Sequence, residues 1–198
     1  NPEEILEVYL TPKEIEDIEN INDLPEYLDN ARDIFLIGYE TGQRISDFMR
    51  FQTSMICERE VKGKNKYFIE FIQEKTGKQL ILPLDNRIIK ILEKRNWSFP
   101  RKMSEPRYNE HVKTVCKEVS IDELVEGTLA VKNNAENIKD RKKNNRRKEK
   151  GMYPKYQLVS SHIGRRSFAS NNFGRIPTPL LMVATGHSTP NMLMKYIG

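Results

Sequence analysis

Apolar positions recur along this chain with two periods, and the switches between them mark out its elements. Thr11-Pro12-Lys13-Glu14 combines a capping box with a proline at the first helical position and opens a helix to about Ile21. From Pro25 to about Tyr39, Leu28, Ala31, Ile34 and Phe35 fall on one side of a second helix. Gly42 stops it, and Arg44 leads into a short helix through Phe48. Between Met55 and Leu82 the period drops to two. Lys66 to Gln73 alternates in the strand manner, Glu74-Lys75-Thr76-Gly77-Lys78 makes a glycine-containing turn, and Gln79 to Leu82 returns before Pro83-Leu84. Helical spacing resumes over about Asp85 to Arg95, Ser104 to Val119 and Ile121 to Val131. Towards the C-terminus, Ser160 or Ser161 caps a helix anchored by Phe168 and Phe173, and Pro179 to Thr185 reads as an apolar helix stopped by Gly186. Thr189-Pro190 starts a last helix, with Tyr196 about two turns into it. The pattern alone describes an α-rich chain with a β-hairpin in a strand-rich segment from Met55 to Leu82.

Composition narrows the class. The 198 residues suffice for one domain, or for a domain carrying a large insertion. No apolar run approaches the roughly 20 residues that span a bilayer, and no secretory signal opens the chain. Cys57 and Cys116 lie far apart without CxxC spacing, which excludes a disulfide framework and fits a reducing compartment. Three histidines and two cysteines leave little for a transition metal. His111 belongs to no motif and reads as structural.

The candidate chemistry gathers near the C-terminal end. His162 and Arg165 lie three positions apart, on one face of a helix. His187 follows within Gly186-His187-Ser188, and Tyr196 comes nine residues after it. A hydroxyl that attacks a phosphodiester needs cations on the non-bridging oxygens and groups that move protons at the bridging ones. Arg165 suits the first task, because its planar fork matches two phosphate oxygens and stays charged. The histidines suit the second. Each residue alone has a plainer reading, as a solvated arginine or a half-buried tyrosine. The ordered set points to a shared site.

His-x-x-Arg, then Gly-His-Ser, then a tyrosine nine residues later resembles the C-terminal half of the tyrosine recombinase and phage-type integrase family. That family also carries an arginine in Thr-Gly-x-Arg-x-Ser-Asp/Glu. Thr41-Gly42-Gln43-Arg44-Ile45-Ser46-Asp47 fits it, with Gln43 where the family more often has leucine. A family lysine in a β-hairpin before a Val/Leu-Pro-Leu segment corresponds to Lys75, with Lys78 as the alternative. The likeness runs from about Thr11 to Tyr196 and implies the tyrosine-recombinase catalytic-domain fold, α+β and mostly helical, with a small antiparallel β-sheet packed on one side.

It implies a six-residue site of Arg44, Lys75, His162, Arg165, His187 and Tyr196, working without metal, cofactor or ATP. Tyr196 is then the nucleophile that forms a 3′-phosphotyrosyl bond and frees a 5′-hydroxyl. Arg44 and Arg165 clamp the phosphate, Lys75 protonates the leaving oxygen, His162 takes the tyrosine proton and His187 donates a hydrogen bond to the phosphate. The alternatives are a type IB topoisomerase-like or resolvase strand transferase, or a non-catalytic DNA-binding module of the same fold.

The partner implied is double-stranded DNA, and charge supports it. Of the net +5, Lys139 to Lys150 contributes +6, leaving the rest near −1. Residues 132–155 read as a basic, partly disordered insertion that lies along DNA phosphates through Arg141, Lys142, Lys143, Arg146, Arg147 and Lys148, with Lys78 beside them. The resemblance further implies a cytoplasmic, nucleoid-associated prokaryotic protein with no membrane association. The family's N-terminal clamping domain is not in this sequence, and only two residues follow Tyr196. The expectation is an excised catalytic domain, monomeric in solution, whose parent assembles as a homotetramer on DNA. Its terminal tyrosine is expected to be exposed and mobile, on a loosely held helix.

Overall fold

A computed structural model describes residues 8–132 and 146–197. Its centre is helix α2, Glu26–Thr41, which follows α1, Pro12–Asn20. The stretch from Ile34 to Tyr39 is buried on every side, so α2 serves as the core's axis and not as a surface helix. The capping box forms as its sequence requires, with Glu14 N–H donating to Thr11 Oγ1 and Thr11 N–H donating to Glu14 Oε2 at 2.7 Å. Short helix α3, Ile45–Phe48, then leads to the sheet.

The sheet is an antiparallel meander of β1 (Ile56–Val61), β2 (Lys64–Ile72) and β3 (Gln79–Pro83), in spatial order β1-β2-β3. Ile69, Phe71 and Leu80 turn into the core, and Phe71 meets Phe51 edge-on with ring centroids 5.0 Å apart. Alternation therefore placed this strand pair correctly. Helices α4 (Asn86–Lys94) and α5 (Glu105–Glu118) pack against α2. At the α2–α4 contact, buried Asp33 is ringed by Arg32, Lys94 and Arg95, so its charge is compensated where water is excluded.

The helix expected over Ile121 to Val131 is a strand. Residues Leu124–Lys132 form β4, which pairs antiparallel with β5, Arg146–Pro154, in a two-stranded ribbon. Val125 and Leu129 satisfy a helical spacing and a strand spacing equally, and the pairing partner lies beyond residue 145, outside any local window. Gly127 also matters, because a Cβ there would meet Leu158 Cδ1 at 2.4 Å. Residues 146–154 of the expected insertion are thus ordered as β5, while residues 133–145 lie outside the described residues.

The ribbon runs into helix α6, Lys155–Leu158. Lys155 is buried and donates to both Glu14 oxygens, at 2.8 and 2.7 Å, so one carboxylate caps α1 and secures the ribbon's exit. Helices α7 (Ile163–Asn172), α8 (Thr178–Thr185) and α9 (Pro190–Met194) complete the chain, with α7 against α2. Neither Ser160 nor Ser161 caps α7. His162 takes the cap position with a helical backbone, and buried Ser161 donates instead to Glu105 Oε1 at 2.5 Å, tying α7 to the start of α5.

Candidate active site

The corner between α2, α7 and α8 is organised by the turn at Gly42. Gly42 is left-handed, with φ 62°, and a Cβ there would lie 2.5 Å from the Phe168 ring, so only glycine fits. The turn brings Arg44 in as an extended residue ahead of α3. Its carbonyl, Gly42 O, accepts from Arg165 Nη1 at 3.0 Å. Two arginines distant in sequence are therefore positioned by the same two peptide units.

Arg165 is only 4% exposed. Burial, and then the neighbouring Arg44, pull its pKa down to about 10, with Tyr196 and Asp47 opposing. It remains charged at neutral pH. Arg44 Nη1 is buried and has no hydrogen-bond partner among the described residues. Two adjacent guanidinium groups with an unused inward donor form a place where an anion would lower the energy of both.

Helix α8 supplies the third group. Gly186 ends it in the left-handed region, φ 60°, and His187 N–H donates back to Met182 O at 3.0 Å. His187 Nδ1 lies 2.8 Å from Thr185 Oγ1. Thr185 is fully buried and gives its only proton to Leu181 O at 2.6 Å, so it must accept from His187. The hydrogen-bond network assigns the proton to Nδ1 and leaves Nε2 with a free lone pair. Burial, followed by Arg165 and Arg44, pushes the His187 pKa down to about 4, so the ring is neutral at pH 7.

Tyr196 lies against this imidazole, with ring centroids 4.8 Å apart and an interplanar angle of 50°. Arg166 also sits over the phenol ring, 5.1 Å from its centroid. The expectation of an exposed, mobile tyrosine is corrected here. The hydroxyl is buried and makes no hydrogen bond of normal geometry to any described residue. Helix α9 is shorter than its sequence suggested and ends at Met194, so Tyr196 occupies the turn beyond it, with its N–H donating to Leu193 O at 2.9 Å. Leu193, with no exposed surface, anchors that turn. Burial raises the Tyr196 pKa, while Arg165, Arg166 and Arg44 pull it back.

Of the remaining expected groups, His162 lies near the two arginines, while the lysines stand on the β2–β3 turn and on β5. His162, exposed at the head of α7, has its pKa lowered by partial burial and by Arg166, with Glu105 opposing and Arg165 and Arg44 adding to the fall. Lys75 and Lys78 are exposed in the β2–β3 turn, next to buried Gln73. Lys148 is exposed on β5 and follows Arg146 and Arg147 in that strand, while Arg141, Lys142 and Lys143 lie outside the described residues. His111 is remote in the chain and stacks edge-on with Tyr27. Among the described residues no group of three or more His, Cys, Asp or Glu is placed to hold a metal ion, and no helix is long and apolar enough to cross a membrane. Thr185 went unnoticed in the sequence. A threonine two residues before a histidine at a helix end was the available signal.

No family model and no curated protein matches the sequence. Solved structures do match the fold. The XerH site-specific recombinase bound to difH substrate, in a pre-cleavage complex, aligns over 98% of this chain with a TM-score of 0.60 and 16% identity. A lambda integrase dimer bound to a COC′ core site aligns over 98% with a TM-score of 0.60 and 17% identity. The Tn1549 transposon integrase in complex with circular intermediate DNA aligns over 96% with a TM-score of 0.53 and 13% identity. The chain spans 51% of the XerH chain and 60% and 61% of the other two. Across nearly all of its length, the chain has the fold of tyrosine recombinase catalytic domains.

Proposed function

We propose that this chain is the catalytic domain of a site-specific DNA recombinase or integrase that breaks and rejoins DNA through Tyr196. The observation that carries this reading is the meeting of Arg44, Arg165, His187 and Tyr196 at one corner, where the buried Arg44 Nη1 has no hydrogen-bond partner among the described residues and the Tyr196 hydroxyl, buried beside Arg165, makes no hydrogen bond of normal geometry. A phosphodiester supplies what both lack.

In the proposed reaction the Tyr196 oxygen attacks phosphorus as its proton passes to an imidazole. The phosphorus–O5′ bond breaks, and the departing oxygen takes a proton from the Lys75 ammonium, leaving a 3′-phosphotyrosyl bond, a free 5′-hydroxyl and a neutral lysine. Attack by a 5′-hydroxyl reverses each transfer and reseals the strand, so no external energy source is consumed. Arg44 and Arg165 hold the non-bridging oxygens, and their pull grows as charge builds on them in the transition state.

For the proton acceptor we favour His187 over His162. Its ring touches Tyr196, and its Nε2 is free because Thr185 holds the proton on Nδ1. At pH 7 the ring is neutral with its one proton on Nδ1, so Nε2 can accept a proton and has none to give the phosphate, while a bound phosphate anion would offset the arginines that lower its pKa. His162, at the mouth of the corner, then serves the phosphate. Double-stranded DNA is the proposed substrate, and the basic ribbon around Lys148 adds contact along its backbone.

The test is capture of a covalent adduct. A pool of nicked duplexes with randomised centres is incubated with the protein and resolved on a denaturing gel. Wild type should yield a protein–DNA adduct that Tyr196→Phe abolishes. An adduct that survives Tyr196→Phe, or none from wild type across the pool, would sink the proposal. The captured duplex, offered in pairs or within a supercoiled plasmid, then separates strand exchange from simple relaxation.

A further inference from the structure

Two buried glutamines connect the groups of this corner. Gln43 is wholly buried beside Arg44, and Gln73 is 1% exposed at the base of the Lys75 turn. Gln43 Nε2 donates to Thr41 O at 2.8 Å and to Ala184 O at 2.7 Å. Both amide hydrogens thus go to carbonyl oxygens, which can only accept, and the amide cannot be turned round. Its Oε1 must then face Gln73, whose Nε2 donates to it at 2.8 Å. With that nitrogen committed, Gln73 Oε1 accepts from Thr76 Oγ1 at 2.7 Å. Every orientation in the series is determined by the one before it.

The ends of this series are informative. One end is the carbonyl of Ala184, in the last turn of α8 and three residues before His187. The other is Thr76, the immediate neighbour of Lys75. In between, a Cβ on Gly186 would lie 3.5 Å from Arg44 Nη1 and 3.6 Å from Gln73 Oε1, so the loop bearing His187, the arginine and the glutamine pair are in mutual contact. The backbone of the turn is held as well. Gly77 N–H donates to Gln73 O and Gln73 N–H to Lys78 O, both at 2.9 Å, and Glu74 N–H donates to buried Asp47 Oδ1 at 2.8 Å. Residues 74–78 of the turn are themselves exposed.

We propose that Gln43 and Gln73 are positioning residues that place the Lys75 turn relative to Arg44 and His187, and so control protonation of the leaving 5′-oxygen. This rests on the proposed role of Lys75 as the acid. A lysine on an exposed hairpin turn samples many positions, and proton transfer in a transition state rewards only those within hydrogen-bond reach. Anchoring the backbone on both sides of Lys75 to the arginine–histidine corner removes most of that search before DNA arrives. A leucine pair would fill the same space, but it would not specify which way the turn faces.

The test compares single-turnover adduct formation on the captured nicked duplex in two forms, with oxygen or with sulfur at the bridging 5′ position. A thiolate leaves without protonation, so a defect confined to the acid disappears with sulfur. On oxygen, Lys75→Ala should be slower by about 100-fold or more and Gln73→Leu by about 10- to 100-fold. On sulfur both should come within about threefold of wild type, the mark of a defect in proton transfer. Gln73→Leu equally slow on both substrates, or unimpaired on oxygen, overturns the inference. Lys75→Ala that stays slow on sulfur overturns the acid assignment itself, and that arm alone decides it. Should Gln73→Leu not fold, Thr76→Val cuts the last bond of the series from an exposed position. It should show the same oxygen-specific loss in smaller measure, and wild-type rates on oxygen would again overturn the inference.

Discussion

Two regions of this molecule concentrate positive charge, and they handle it in opposite ways. At the corner, Arg165 is buried beside Arg44, its pKa drawn down to about 10 by burial and by that neighbour, and His187, by its own burial and then the two arginines, is drawn down to about 4. On the β4–β5 ribbon, Lys148 stands in solvent, and Lys150 forms an exposed pair with Glu126 at 2.9 Å. Water and salt screen the second kind of charge and hardly reach the first. A buried pair can therefore bind one phosphate in one geometry, whereas exposed lysines add affinity that is indifferent to sequence and falls with ionic strength.

The comparison is broken most severely at Arg165. Arg165→Ala should slow adduct formation by about 100- to 1,000-fold, as loss of one transition-state donor does elsewhere, while duplex binding changes far less. Arg165→Lys keeps the charge but loses the fork that reaches Gly42 O and, in the proposed reaction, phosphate together, so it should recover little. Single-turnover rates beside a binding isotherm decide this, and full activity in the lysine variant would show that charge alone suffices.

A smaller effect is expected where the ribbon meets the body. Gly127→Ala drives a methyl into Leu158 and should cost about 1–3 kcal/mol in chemical denaturation, relieved in part by Leu158→Ala. If the double variant is no better than the single, the clash is not the cause.

His187 provides a pH test. Its ordinary value is 6.5, and the fold holds it near 4. The unfolded chain takes up this proton as pH falls through 6.5 and the folded chain does not until about 4, so stability present at neutral pH is lost across that window. His187→Asn should flatten the fall in Tm between those limits relative to wild type. Superimposable profiles would show that the fold does not hold His187 neutral through that window.

The mildest effect belongs to the ribbon's surface. Lys148→Gln should reduce the slope of log affinity against log salt by about 0.9 and leave the adduct rate at saturating DNA unchanged. A change in that rate would place Lys148 in the corner's business after all.

These contrasts also explain what the sequence disclosed. The capping box at Thr11, the stop at Gly42 and the Glu74–Lys78 turn depend on neighbours a few residues away, and each formed where expected. Arg44, Arg165, His187 and Tyr196 stood in the sequence as an ordered set of motifs, and the fold brings these four together. What escaped was decided at a distance. β4 could not be told from a helix without β5, and the depth of Tyr196 follows from Leu193 filling the core. Thr185 and the glutamine pair look like ordinary polar residues until folding surrounds them with carbonyl groups.

The turn at Gly42 carries a practical warning for anyone mapping this protein by mutational screening. Its left-handed backbone sits under Phe168, its carbonyl receives Arg165, and the chain leaves it directly towards Arg44. A substitution there removes neither arginine, yet it would displace both of their side chains at once. Such a position scores as dead in any activity selection, and a functional map drawn from loss of activity alone would count a hinge among the reagents.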